Sequence, residues 1–232
     1  MNKNDREYIA LTIEKAVKNN ISVALVSENY VIAEGETIPS AGFFDPIKRQ
    51  LVCATKGKFE GWFGVFIHES CHMDQFIENA KPWADLKLGK SFKEEDACDI
   101  FFQWLEGIPT CNKLVRQSCK KTLLMELDCE KRTAEKIKKH NLSINLERYI
   151  KSANVYILFY NFIKKHRIWH PRGRSPSKYQ SLKNLVSSSF DENYNVLPKK
   201  FEDAVIEYCF QGKLEEYKKQ ARIEQSKYRT LY

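Results

Sequence analysis

The sequence predicts an α+β fold, mainly helical, in which a small N-terminal β-sheet packs on a buried helix. Three features carry this expectation. The short β-branched and apolar runs that read as strands lie within residues 21–54. The run from Trp62 to Ile77 is mostly apolar and too long for a typical strand. Most of the chain beyond residue 94 has apolar residues at helical spacing.

Length and composition bound the rest. A chain of 232 residues can bury a core without disulfide or metal staples. With 43% hydrophobic and 29% charged residues, 9 Gly and 7 Pro, it is an ordinary globular chain, which excludes disordered, collagen-like and fibrous classes. No apolar run reaches the roughly 18 residues a membrane span needs. The N-terminus runs into a charged amphipathic pattern and not an apolar signal core, so a cytoplasmic protein without membrane partners is expected. Seven scattered cysteines, an odd number with no Cys-x-x-Cys pair, read as reduced and mostly buried thiols.

In chain order, Tyr8, Ile9, Leu11, Ile13, Ala16 and Val17 predict a helix that stops at Asn19-Asn20, and Ile21 to Val26 predicts a strand. Ala41–Phe44 and Gln50–Ala54 read as a hairpin around Asp45-Pro46, a turn-initiating pair. The apolar run from Trp62 is a buried helix ending before Lys81-Pro82, since proline cannot continue it. A polar connector bearing Trp83 follows, then a helix from about Glu94 to Leu105, a turn at Gly107-Ile108-Pro109, and a long helix from Asn112 to Lys139. Ser143 or Asn145 is placed to cap another helix reaching about Lys165. Two more helices after Lys199 break at Gly212. Residues 171–189, bearing proline and serine, read as a linker or mobile loop. The expected organisation is a core at 1–140 and a helical C-terminal region at 141–232 packed on it.

The formal net charge of +8 is concentrated. Residues 161–190 hold Lys164, Lys165, Arg167, Arg172, Arg174, Lys178 and Lys183 and no acid. Such a run, interleaved with Trp169 and Tyr179, suits nucleic acid or an acidic protein surface, although runs of this kind are more commonly a solvated helix end followed by a polar loop.

Within the buried helix stands His68-Glu69-Ser70-Cys71-His72. At 3.6 residues per turn two histidines four apart project from one face, their Cβ atoms about 5 to 6 Å apart, which suits chelation of one ion. Zinc accepts imidazole nitrogen, and Glu69 lies beside the first histidine, where a general base would act on water. Cys71 faces away from that side by helical phase. By chance the string would occur on the order of once in a few hundred chains of this length.

On this motif the chain resembles the zincin metallopeptidases. The resemblance implies a strand before the motif helix that holds extended substrate as a sheet edge, and Gln50 to Ala54 stands at that place. The metzincin branch requires Gly at 75 and His at 78, where this chain has Gln75 and Glu78. The gluzincin branch takes its third ligand from a Glu on a second helix within Glu-x-x-x-Asp. Glu126-Leu127-Asp128-Cys129-Glu130 is similar, with Glu130 in place of the aspartate. Glu126 and Glu130 share a helix face with Cys119, Thr122, Thr133 and Ile137, while Asp128 lies about 200° away from Glu126. The resemblance therefore implies zinc held by His68, His72 and Glu126, with Glu130 orienting a histidine, or the two acids exchanged. It covers residues 41–139, and size and cytoplasmic character extend it to compact peptidases of the ImmA type.

The family also implies a side chain that stabilises the oxyanion. His166, His170, Arg167, Tyr156 and Tyr160 all qualify by type. The function expected is zinc-dependent hydrolysis of a peptide bond in a protein or peptide substrate. The alternative is a nucleic-acid-associated binding protein with a structural metal and a basic 161–190 segment.

Overall fold

The structure is a computed structural model in which residues 1–34, 39–88 and 96–229 are described. The fold is α+β and mainly helical, with one three-stranded sheet. The chain forms two compact units: residues 1–84 with 128–146, and residues 85–127 with 147–232. A single boundary at 140 therefore does not describe it, because a polypeptide cut at one point cannot separate units that the chain enters twice.

In the first unit, helix α1 (Lys3–Lys18) starts several residues before its apolar stripe. Asn2 and Asp5 form a reciprocal capping box: the Asp5 amide donates to Asn2 Oδ1 at 2.9 Å and the Asn2 amide to Asp5 Oδ2 at 2.8 Å. Strands β1 (Ser22–Val26), β2 (Gly42–Asp45) and β3 (Gln50–Ala54) follow. The β2–β3 hairpin is antiparallel, and Asp45 Oδ1 accepts from the amides of Ile47 and Lys48 to close its turn. β1 pairs in parallel with β3, giving the order β1-β3-β2. This corrects the expectation of an edge at 50–54. β3 is paired on both sides, so an added strand can pair only with β1 or β2.

Helix α2 (Phe59–Ile77) packs on β2 and β3. At Gly42 a Cβ would meet Val65 Cγ1 at 2.7 Å and Cys53 Sγ and the Val52 carbonyl at 2.9 Å, so glycine permits the close approach of strand and helix. Phe63, Phe66, Ile67 and Cys71 have no exposed surface. Tyr8 of α1 meets Phe63 and Phe66 edge-on and its hydroxyl pairs with Ser70 Oγ at 2.8 Å, so α2 is covered on more than one side and reads as apolar almost all round. A short helix, α3 (Lys81–Ala84), sets Trp83 against Phe44 and Phe76.

The second unit holds α4 (Ala97–Leu105), α6 (Leu146–His166), a 3-10 turn at Pro176–Lys178, α7 (Gln180–Lys183), α8 (Lys199–Phe210) and α9 (Leu214–Arg229). Helix α5 (Asn112–Lys139) passes from one unit to the other between Leu127 and Asp128. Asp96 caps α4; the earlier start expected at Glu94 lies outside the described residues. Asn145 directly precedes α6, whereas Ser143 is engaged with Asp5. The core of this unit is built on α6, with Phe159, Phe162 and Phe210 stacked in series.

Residues 171–189 are not a free linker. Leu182 and Val186 enter that core, and the buried Asn154 amide donates to the carbonyls of Ser187 and Ser189 at 3.0 and 2.8 Å. A side-chain amide inside the core thus satisfies the backbone of a serine-rich segment, which lets it pack. Among the described residues no helix is long and apolar enough to cross a membrane.

Candidate metal centre

The site lies in the first unit, where α2 meets the part of α5 that starts at Asp128. The spacing that puts His68 and His72 one turn apart brings their rings edge to face, centroids 4.7 Å apart, with the two Nε2 atoms at 3.1 Å. Two nitrogens bound tetrahedrally to one zinc at about 2.0 to 2.1 Å stand about 3.3 Å apart, so the pair already has a chelating span. His72 is 8% exposed and the His68 side chain 17%, so the pair is largely shielded from solvent.

Each ring is held by its other nitrogen. His72 Nδ1 lies 2.9 Å from Gln75 Oε1, and Gln75 Nε2 donates to Asp128 Oδ2 at 2.8 Å. A carboxylate only accepts, so the amide group of Gln75 must face Asp128 and its oxygen must face His72. The His72 proton then sits on Nδ1 and the Nε2 lone pair points at His68. His68 Nδ1 faces Glu130 Oε1 at 3.5 Å, and this buried carboxylate favours a proton on the same ring atom. Two lone pairs directed at each other across 3.1 Å repel, and a cation or proton between them removes that repulsion. The donor set therefore fits a divalent metal that accepts imidazole nitrogen.

Among the described residues, His68, His72 and Cys129 have donor atoms all within 4.8 Å of one another and could hold a metal ion. Cys129 Sγ donates to the His68 carbonyl at 3.2 Å and lies 3.6 Å from His68 Nδ1. Sequence reasoning passed over it because a cysteine on an apolar face reads as filler, although its position three residues after Glu126 and one before Glu130 was visible. Gln75 and Asp128 were missed for another reason: their roles depend on which helices pack together.

The expected general base, Glu69, is half-buried on α2. Burial raises the Cys53 thiol of β3 far above its usual value and the Glu69 charge adds to this. Cys71, expected by its phase to face away from the metal side, instead reaches α5, where it meets Thr133 and the candidate ligand Cys129. Its thiol accepts from Thr133 Oγ1 at 3.3 Å. Burial opposes its ionisation, but a hydrogen bond from Cys129 and the Lys136 charge bring its pKa below normal.

Glu126 belongs to the second unit and is not in the cluster of potential ligands. Burial pushes the Tyr160 hydroxyl well up and the Glu126 charge adds to it; Tyr160 also pairs with Tyr156 at 3.1 Å. His166 Nε2 is 2.7 Å from Glu202 Oε1, and His170 Nδ1 is 3.0 Å from the Pro171 carbonyl. Arg167 donates through Nε to the Trp104 carbonyl at 2.7 Å and lies over that indole. All of these contacts of the oxyanion candidates fall within the second unit.

The basic segment is partly engaged as well. Lys165 pairs with Glu202, Arg174 and Lys178 donate to the carbonyls of Tyr208 and Gly173, and Lys183 is buried. Comparison of the chain with protein-family models, curated proteins and solved structures finds no match.

Proposed function

We propose that the chain is a zinc-dependent peptidase. The observation that carries this reading is the pair of Nε2 atoms 3.1 Å apart, with Gln75 Oε1 and Glu130 Oε1 facing the two Nδ1 atoms. His68 and His72 would hold the ion through Nε2. The third ligand would come from α5, where the Glu-x-x-x-acid pattern names Glu126 and the ligand group in the first unit contains Cys129. A bound zinc would polarise the scissile carbonyl and lower the pKa of water to near 7.

The residues supply the remaining chemistry. Glu69, adjacent to His68 on α2, would accept a proton from the attacking water on its carboxylate and pass it to the departing amine nitrogen. Glu130 would keep the His68 Nδ1 proton in place, which favours Nε2 as the donor atom. An extended peptide would pair with β1 or β2, the two outer strands.

The test is metal content of purified wild type, His72→Ala, Glu126→Ala and Cys129→Ser by plasma mass spectrometry. About one zinc per wild-type chain and almost none in His72→Ala are expected for a two-histidine site. Loss in either of the other two variants identifies the α5 ligand. Wild type that retains no first-row metal overturns the reading. Zinc-loaded wild type and Glu69→Gln are then incubated with a peptide library; Glu69→Gln should keep zinc and cleave at least about 100-fold more slowly. Equal cleavage by both removes Glu69 from the mechanism.

A further inference from the structure

Gln75, beside the histidine pair, is fully buried. It lies in a chain that runs His72 Nδ1, Gln75 Oε1, Gln75 Nε2, Asp128 Oδ2, and then Arg132 Nε at 2.7 Å. Arg132 in turn donates through its guanidinium to Glu78 Oε2 at 2.6 Å. Asp128 only accepts and Arg132 only donates, whereas the Gln75 amide presents either a donor or an acceptor to His72 depending on a flip, and His72 Nδ1 answers with the matching tautomer. Asp128 removes that freedom.

We infer that Asp128, acting through Gln75, is a positioning residue that sets the tautomer of His72 and thereby its affinity for metal. The inference rests on the zinc reading for the word metal, but the tautomer is a property of the metal-free chain. With Asp128 ionised, Gln75 offers its carbonyl oxygen to His72, Nδ1 is protonated and Nε2 is a ligand. Without that carboxylate the amide can turn over and donate to Nδ1. His72 then carries its proton on Nε2, which no longer coordinates. Arg132 donates to the same Asp128 oxygen and holds the carboxylate in line with Gln75. The remote groups thus decide which face of an imidazole is available, although none of them is in the cluster of potential ligands.

The experiment uses the full chain with zinc alone as the probe. Zinc affinity is measured by competition with a chromophoric chelator. The His72 tautomer is read in metal-free protein from ring nitrogen chemical shifts at mildly alkaline pH, where imidazole is neutral. The variants are Asp128→Asn, Gln75→Glu, and the double variant Gln75→Glu with Asp128→Asn. In the double variant a carboxylate accepts from both the His72 Nδ1 proton and the Asn side chain, so the acceptor faces His72 again.

Wild type should be protonated on Nδ1. Asp128→Asn should lose about 10- to 100-fold in zinc affinity, with His72 moving toward Nε2 protonation. The double variant should regain most of the affinity and the Nδ1 proton. A loss caused only by disturbed packing would not be rescued by a second substitution, so a double variant as weak as Asp128→Asn overturns the inference. Unchanged affinity and tautomer in Asp128→Asn does the same. If wild type binds no zinc, the peptidase reading fails while the tautomer still decides the inference: Nε2 protonation in wild type refutes it, and Nδ1 protonation lost in Asp128→Asn sustains it.

Discussion

Asp5→Ala should be among the most damaging single changes in the first unit, and its cost can be worked from three donors. Asp5 is fully buried. Its carboxylate accepts from the Asn2 amide at 2.8 Å, the Ser143 amide at 2.9 Å and the Ser143 hydroxyl. Alanine leaves all three without that acceptor. An unmade bond to a buried group costs about 1 to 3 kcal/mol, and solvent reaches the Asn2 and Ser143 ends in part, so a total of about 3 to 4 kcal/mol is expected. The loss should depend on pH. Burial, the largest influence, raises the Asp5 carboxyl pKa, but the Ser143 and Asn2 hydrogen bonds and the N-terminal charge together bring it below its usual value. A carboxyl whose native pKa is depressed contributes its full stability above the unfolded value of about 4 and loses it as pH falls through the native value. The gap between wild type and Asp5→Ala should therefore be widest near neutrality and narrow below about pH 4. Urea unfolding followed by far-ultraviolet circular dichroism measures the gap, and hydrogen exchange over residues 3–18 assigns it to α1. A loss under about 0.5 kcal/mol, or a gap that does not change with pH, would refute the reasoning.

Gly42→Ala should cost about 1 to 3 kcal/mol, because its Cβ overlaps a β3 carbonyl and two side chains; the same unfolding assay reads it. Under the zinc reading, free zinc at about 100 times the dissociation constant should stabilise the first unit by about 2.7 kcal/mol, seen as slower exchange of α2 amides and reversed by chelator. Binding to random duplex DNA should fall with salt at a slope well short of the roughly −6 that seven phosphate contacts would give, because Lys165, Arg174 and Lys178 already have partners in their own unit. Titration at several salt concentrations by fluorescence anisotropy checks this.

What the sequence disclosed and what it hid divide along physical lines. Local signals were legible: His68 and His72 declare themselves by spacing, the hairpin by Asp45-Pro46, and α5 by an uninterrupted helical pattern from 112 to 139. The start of α1 is hidden from an apolar-stripe reading because a polar first turn carries no such stripe, although the Asn2–Asp5 capping box is written in the residues. Sheet order was not legible, since no feature of residues 22–26 says whether they join the hairpin beside β2 or beside β3. The Glu130 contact with His68 agrees with the helical phase argued for it, whereas Gln75 and Asp128 are 53 positions apart and become partners only once α2 and α5 are packed. The serine-rich segment looked free because its satisfaction comes from Asn154, a polar residue that sequence alone would place in a helix and not beneath a loop.

The division of the chain into interleaved units bears on how it is made. Residues 1–84 leave the ribosome first, carrying α2 with Ser70, Cys71 and His68 in place, but Lys136, Thr133 and Cys129, which meet them, are added only after residues 85–127. At about 5 to 20 residues per second the nascent first unit waits several seconds with part of α2 uncovered. No contiguous fragment reproduces it either: truncation near residue 84 discards α5, and truncation near 146 retains a stretch of the second unit without α6. Dissection of this protein by limited expression would need permuted or linked segments, with 1–84 joined directly to 128–146.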